Sequence, residues 1–346
     1  MATGAYVGVN GIARKVNEIY VGVNNVARKV TRGYIGVNGV ARLFWEPSVG
    51  PQWTSTVLPH SDEWVVVTYG GGKFVTLAYQ NQVAYSDDGI TWGRSYMPIG
   101  VSTTSVTYGG GKFVAIGSAG HIVYSTDGIN WAYDAVILPH SAFQKWTAIT
   151  YGDNKFLAVT DNEETISAGS DLAAYSSDGT NWTTVTLPSS ADWQSVTYGG
   201  GNFVAIAINS SSAAYSSNGS NWEAASLPAT AYWTCVTYGG GKFVAVANGS
   251  NIAAYSYDGI TWRSTSVPLI GGRPNHWTRV AYGNGKFLAV ERNGSHAMQS
   301  SDGITWEFMP SLPSSADWVS VAYGADKFVT VAKDSNKSAY WTDTST

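Results

Sequence analysis

The feature that most constrains this chain is a sevenfold internal repeat. Tyr-Gly-x-x-(Lys/Asn)-Phe begins at Tyr69, Tyr108, Tyr151, Tyr198, Tyr238, Tyr282 and Tyr323, at spacings of 39 to 47 residues. A unit of this length with about four strands is the pattern of a propeller blade. A second motif follows each copy, first as Tyr85-Ser-Asp-Asp-Gly-Ile-Thr-Trp92 and then in versions ending at Trp131, Trp182, Trp222, Trp262 and Trp306. The seventh copy reaches only Tyr340-Trp-Thr-Asp343. The missing piece lies at the other end, where Trp53-Thr-Ser-Thr-Val-Leu-Pro59 matches Trp182-Thr-Thr-Val-Thr-Leu-Pro188. Strand 53–58 is therefore expected to complete the last blade, because closing the ring removes a free sheet edge. The expected fold is all-β, with a seven-bladed β-propeller over 47–346.

Within a blade, strand A is of the Trp193-Gln-Ser-Val-Thr-Tyr198 type and strand B of the Phe203-Val-Ala-Ile-Ala type. Strand B is apolar at successive positions, as a strand covered on both faces must be. Six of the seven A strands open with Trp (64, 146, 193, 233, 277, 318), and Thr103 is the exception. A Trp at one place in every repeat reads as core. The Gly-Gly-Gly-Lys runs resemble a phosphate loop in composition only. They recur in a β-turn and precede no helix, so they read as tight A–B turns needing positive φ.

Residues 1–46 form a different repeat. Tyr6-Val-Gly-Val-Asn-Gly-Ile-Ala-Arg-Lys-Val16 recurs at Tyr20–Val30 and Tyr34–Phe44, a period of 14. Asn10-Gly11 and Asn38-Gly39 are type I′ hairpin turns by composition, and Asn24-Asn25 is a weaker version. Three hairpins in a meander of six short strands are expected, with too little material for an independent core. An assembly or docking role follows, on other copies or on another protein; a plain appended sheet is the alternative. This segment carries six basic and two acidic residues, against fourteen and twenty-two in the rest, with the prolines of WEPSVGPQW between them.

A net charge of −4 argues against a nucleic-acid binder held by phosphate contacts. The single Cys235 excludes an intrachain disulfide framework and a Cys-based zinc site. No apolar run approaches the ~20 residues of a membrane span, and the N-terminus does not read as a signal peptide. No cofactor and no metal site are expected, since no two histidines share a loop at ligand spacing.

The Ser-x-Asp-Gly-x-Thr-Trp motif resembles the Asp box of sialidase-like β-propellers, one residue shorter than the usual form. The resemblance implies structural roles for Asp88, Asp127, Asp178, Asp258 and Asp302 and for the tryptophans that close each motif, Trp92, Trp131, Trp182, Trp222, Trp262 and Trp306. Asn218 stands at the Asp position of the fourth copy. The N-terminal repeat resembles repeats in tail and other structural proteins of bacteriophages of Gram-positive hosts. Together they imply a phage tail fibre or receptor-binding protein, assembled in the host cytoplasm and carried on the virion.

Sialidases resemble one another in using three arginines, a Tyr-Glu pair and an Asp acid. Here the propeller holds only Arg94, Arg263, Arg273, Arg279 and Arg292, none in a Phe/Tyr-Arg-Ile-Pro motif. No Gly-x-Ser-x-Gly or His-Glu-x-x-His occurs. A non-catalytic protein is therefore expected.

Propeller turns alternate faces. A–B and C–D turns, all regular, share one face; B–C and D–A loops, where the irregularity lies, share the other. All five histidines, His60, His121, His140, His276 and His296, fall on the second face. Loops held on a rigid ring are where binding residues collect, and glycans need aromatic platforms with amide and carboxylate partners. The remaining candidates for that face are Tyr79, Gln80, Asn81, Gln144, Asn162, Glu163, Asn248, Asn251, Arg273, Asn275, Arg292 and Asn293. Phe143 and Tyr232 add aromatic surface, and the plain alternative is a set of exposed polar loops. The expected partners are a host cell-surface polysaccharide or receptor, other tail proteins through residues 1–46, and further copies of the chain. A purely structural virion module and a degenerate sialidase-like hydrolase are the other readings.

Overall fold

The computed structural model describes residues 51–133, 135, 137–139, 144–162 and 169–342, with six strand segments between residues 5 and 45. His140, Phe143, Glu163 and the turns at Asn10-Gly11, Asn24-Asn25 and Asn38-Gly39 lie outside the described residues. The chain divides into two compact units, Met1–Gln52 and Trp53–Thr346.

In the first unit, Ala5–Val9 pairs with Ile12–Val16, Tyr20–Val23 with Val26–Lys29, and Gly33–Val37 with Val40–Trp45, all antiparallel. Each pair is a separate two-stranded sheet. The continuous six-stranded meander is thus not formed among the described residues. Pairing stays within each hairpin, where loop closure costs least.

The second unit is a β-propeller. Blade 1 is typical, an antiparallel sheet of Trp64–Gly70, Lys73–Ala78, Gln82–Ser86 and Gly93–Tyr96 as strands A to D. Blade 7 consists of Trp318–Gly324, Lys327–Ala332 and Ser335–Trp341, completed by Thr54–Asp62 from the start of the unit. Tyr340 faces Thr54 and Lys337 faces Val57 across that seam. Blade 2 departs from the pattern: its D edge is reduced to the bridges Tyr124↔Ala132 and His121↔Ile137. Between blades 4 and 5 the D and A strands run on as one strand, Glu223–Gly239.

Seven apolar clusters hold the ring, each shared by two neighbouring blades. The cluster of Leu58, Trp64, Phe74, Val329 and Val331 spans the seam between blades 7 and 1. The B strands are buried on both faces, as in Phe203-Val-Ala-Ile-Ala207. At the A–B turn, each motif Tyr stacks on its own Phe at 4.7–4.8 Å between ring centroids. The same Tyr covers the motif Gly of the preceding blade: Tyr108 on Gly70, Tyr151 on Gly109, and so on until Tyr69 on Gly324. A Cβ at any of these glycines would lie about 2 Å from the ring, so the Tyr-Gly pair is a blade-to-blade joint.

In blades 2, 4 and 5 the Lys or Asn of the motif makes a second joint. Lys112 Nζ donates to the Asp178 carbonyl at 2.9 Å, Asn202 Nδ2 to the Asp258 carbonyl at 3.0 Å, and Lys242 Nζ to the Asp302 carbonyl. Each bond reaches the C–D turn of the next blade. The Gly-Gly-Gly-Lys runs are therefore structural, with Gly71 and Gly72 at φ +55° and +79°.

Candidate binding site

Two positions of the repeat build a cavity of about 430 Å³ at the B–C/D–A end of the ring. The first is a bulge. In every blade the A–B register slips just after the residue that opens the buried part of strand A, as between Trp64 and Val66 or Trp277 and Arg279. Bulges re-aim side chains, and the extra residue of all seven blades, Val65, Thr104, Thr147, Gln194, Thr234, Thr278 and Val319, lines the cavity. Three of these threonines also tie blades together. Thr147, Thr234 and Thr278 donate to the Trp193, Trp277 and Trp318 carbonyls at 2.6, 3.0 and 2.9 Å.

The second position is the fifth residue after the motif Phe, where strand B ends. Its occupants are Tyr79, Ser118, Asp161, Ile208, Asn248, Arg292 and Lys333, and all seven line the same cavity. Around an almost invariant frame, this one position carries seven different side chains.

Several of these side chains are paired with the residue just before the opening Trp of the following blade. Lys333 Nζ lies 2.7 Å from Glu63 Oε1, and this contact raises the Lys333 ammonium above its ordinary pKa against the opposing effect of burial. Arg292 Nε lies 3.1 Å from Asp317 Oδ1. Asn248 Oδ1 and His276 Nδ1 are 2.6 Å apart. Lys145 and Asp161 are cross-strand partners within blade 3. Tyr79 and Tyr232, 40% and 45% exposed, stand on the cavity wall at blades 1 and 5.

Of the candidates named from sequence, Tyr79, Tyr232, Asn248 and Arg292 thus meet in one cavity, with His276 held against Asn248. The other described candidates lie elsewhere. Gln80, Asn251, Arg273 and Asn293 are exposed, outside the cavity lining. The Asn81 carbonyl accepts from the Met97 N–H, and Gln144 Nε2 donates to Ser170 Oγ at 3.0 Å. Asn162 Nδ2 donates to the Gly169 carbonyl. Asn275 is buried, and its amide is used by the loop itself: Nδ2 donates to the Pro268 carbonyl and Oδ1 accepts from the Ile270 N–H. His60 packs on Trp64 near Asp62; burial first, and Arg94 second, lower its pKa, with Asp62 opposing. His121 meets the Tyr133 hydroxyl at 3.2 Å, and His296 Nδ1 lies 2.6 Å from the buried Glu291.

Sequence reasoning passed over Glu63, Lys145, Asp161, Gln194, Arg279 and Lys333, which also line the cavity. The signal was present in the chain. Aligning the repeats on their Phe exposes the variable fifth position, which a search confined to long loops does not visit.

The Ser-x-Asp-Gly turns lie at the other end of the blades and are self-contained. Asp88 Oδ1 accepts from the Ile90 and Thr91 N–H groups at 2.8 Å each and from Ser86 Oγ at 2.9 Å. The same three bonds recur at Asp127, Asp178, Asp258 and Asp302, and Asn218 Oδ1 takes them in the fourth copy. Burial alone would raise the Asp88 carboxyl; the Thr91 and Ile90 N–H groups and the Ser86 hydroxyl outweigh it and hold the pKa below its ordinary value. At Asp178 the Asn181 side chain and backbone N–H are the main cause of the same lowering. Trp262 and Trp306 are buried against Phe243 and Phe287, and Trp131 against Phe113. Trp92, Trp182 and Trp222 are half-buried beside the same cores.

Fold and cavity together define a β-propeller with a lined opening at one end of its ring. No family model and no curated protein matches the sequence. Among solved structures the chain is similar to virginiamycin B lyase from Staphylococcus aureus, at a TM-score of 0.72 and 13% identity over 84% of this chain and 99% of that one. It is also similar to YCF48 bound to D1 peptide, with 0.64, 14%, 86% and 98% for the same measures. A third is the Cps50 (Swd1) propeller domain of Myceliophteria thermophila, with 0.61, 10%, 84% and 99%. Identities this low speak to the fold alone.

Proposed function

We propose that this chain is a non-catalytic phage tail fibre or receptor-binding protein whose propeller recognises a host cell-surface component, a glycan, in the B–C/D–A cavity. One observation carries the binding reading. The position after strand B varies completely among seven repeats whose frame hardly varies, and all seven occupants face one cavity. A frame needs sameness at its joints, as the Tyr-Gly pairs show. A recognition surface needs differences, because a ligand without sevenfold symmetry presents different groups to each blade. The lining also has the chemistry a saccharide requires: Tyr79 and Tyr232 as platforms, and Asn248, Gln194 and the threonine hydroxyls as hydrogen-bonding groups.

The phage assignment rests on the N-terminal repeat and on the likeness of the Ser-x-Asp-Gly turns to Asp boxes. In this reading residues 1–46 dock on other tail proteins or on further copies of the chain, and the protein travels on the virion. That a propeller can serve as a receptor is supported by YCF48, which is solved with a peptide bound.

The test is adsorption to host cells and to their purified cell-wall polysaccharide. Exchanging a cavity residue for the one another blade carries there, as in Ile208→Asn, should alter adsorption and leave the melting temperature in place. Unchanged adsorption after several such exchanges would leave a structural virion module. Turnover of a chromogenic sialoside would make the chain a hydrolase.

A further inference from the structure

Among the described residues, the charges lining the cavity face opposite charges, with Arg279 as the exception. Lys333 is matched by Glu63, Arg292 by Asp317, and Lys145 faces its cross-strand partner Asp161. Arg279 stands in strand A of blade 6 directly after the bulge, half-buried in the cavity wall. Its Nη1 donates to the Thr234 and Thr278 carbonyls at 3.1 and 3.3 Å. Those bonds anchor one edge of the guanidinium without neutralising it. Among the described residues no carboxylate lies within ion-pair distance of it.

The other blades show that the ring has no need of an arginine there. The equivalent residues are Val66, Ser105, Ala148, Ser195, Cys235 and Ser320, all smaller. Three are serines that make a frame bond: Ser105, Ser195 and Ser320 Oγ accept the N–H groups of Ile149, Val236 and Val67 in the next strand A. Blade 6 forgoes that bond for a cation whose remaining N–H donors are left to the cavity. A planar, permanently charged fork anchored along one edge and half-buried in a cavity wall is suited to an oxyanion.

We infer that the cavity takes an acidic saccharide, its carboxylate or phosphate group held by Arg279 and its sugar faces set against Tyr79 or Tyr232. The inference rests on the binding reading above and adds the ligand's charge. A volume of about 430 Å³ accommodates one or two sugar units, within the range usual for small-ligand sites.

The experiment compares the full chain with Arg279→Ser, which restores the residue that blades 2, 4 and 7 carry and should fold with an unchanged melting temperature. Retention is measured on three immobilised polysaccharides: a polyuronate, a poly(glycerol phosphate) and neutral dextran. The first two distinguish carboxylate from phosphate as the group recognised. The expected result is retention on at least one acidic polymer, weakened about tenfold or more by Arg279→Ser, as befits loss of a charge-assisted hydrogen bond. Free glucuronate or glycerol phosphate should elute the parent protein from the matching column. Because residues 1–46 carry six basic and two acidic residues, retention alone is insufficient and the single substitution decides. Equal retention of parent and variant, or retention on dextran alone, overturns the inference and leaves the binding reading standing. Retention on none of the three, together with no adsorption to host wall polysaccharide, overturns both.

Discussion

Tyr69 lies flat on Gly324, joining the first blade to the last: a Cβ on Gly324 would sit 2.0 Å from the Tyr69 Cγ. The contact is the seventh of a series in which each blade's Tyr covers the preceding blade's Gly, and it shows the ring closed on itself. Gly324→Ala should therefore destabilise the propeller by about 3 kcal/mol, near the upper end for inserting one methyl into a packed site. Gly100, with open space around its Cα, is the control, and its alanine variant should melt with the parent. Thermal unfolding of the two variants checks the claim; equal melting points would show that the joint yields freely.

Removing the seam strand should have a larger effect. Thr54–Asp62 completes blade 7, and Leu58 is buried in the cluster that unites blades 7 and 1. A chain beginning at residue 51 should unfold cooperatively, whereas one beginning at residue 63 should lose that cooperativity. Calorimetry on the two forms distinguishes a closed ring from one that tolerates an open edge.

The turn carboxylates set the response to acid. Asp88, Asp127, Asp178, Asp258 and Asp302 all have folded pKa values below the ordinary 3.8. A lowered folded pKa means that the unfolded chain binds protons more readily. Their contribution is therefore fully present above about pH 4 and is lost as pH falls further. Asp178→Asn, which copies the residue already at position 218, should cost about 1 kcal/mol at pH 7, the turn being exposed and screened. The gap between variant and parent should narrow steadily as pH falls below 4. A gap that widens on acidification would mean these carboxylates are not what holds the turns.

Residues 1–46 should govern association. Three separate two-stranded hairpins are each marginal without a partner surface. Light scattering should find the full chain as an oligomer, or bound to another protein, and residues 51–346 as a monomer. Monomers in both cases, with no partner captured by the hairpin segment, would remove the docking role.

Much of the ring is legible in the sequence. The sevenfold Tyr-Gly-x-x-(Lys/Asn)-Phe, the strand missing after Tyr340 and present at Trp53, and the opening Trp of each A strand are periodic signals, and periodicity survives in one dimension. The turn aspartates were legible for a related reason. Their bonds run two or three residues along the chain, so local spacing contains them. Tertiary structure alone decided which residues share the cavity. Arg279 and Tyr79 are far apart in sequence and lie on blades 6 and 1, yet they face one opening, because a bulge turns one repeat position inward and closure of the ring brings seven such positions together. The pairing of Lys333 with Glu63 depends on the same closure across the seam, and among the described residues it leaves Arg279 as the charge in the cavity with no carboxylate beside it.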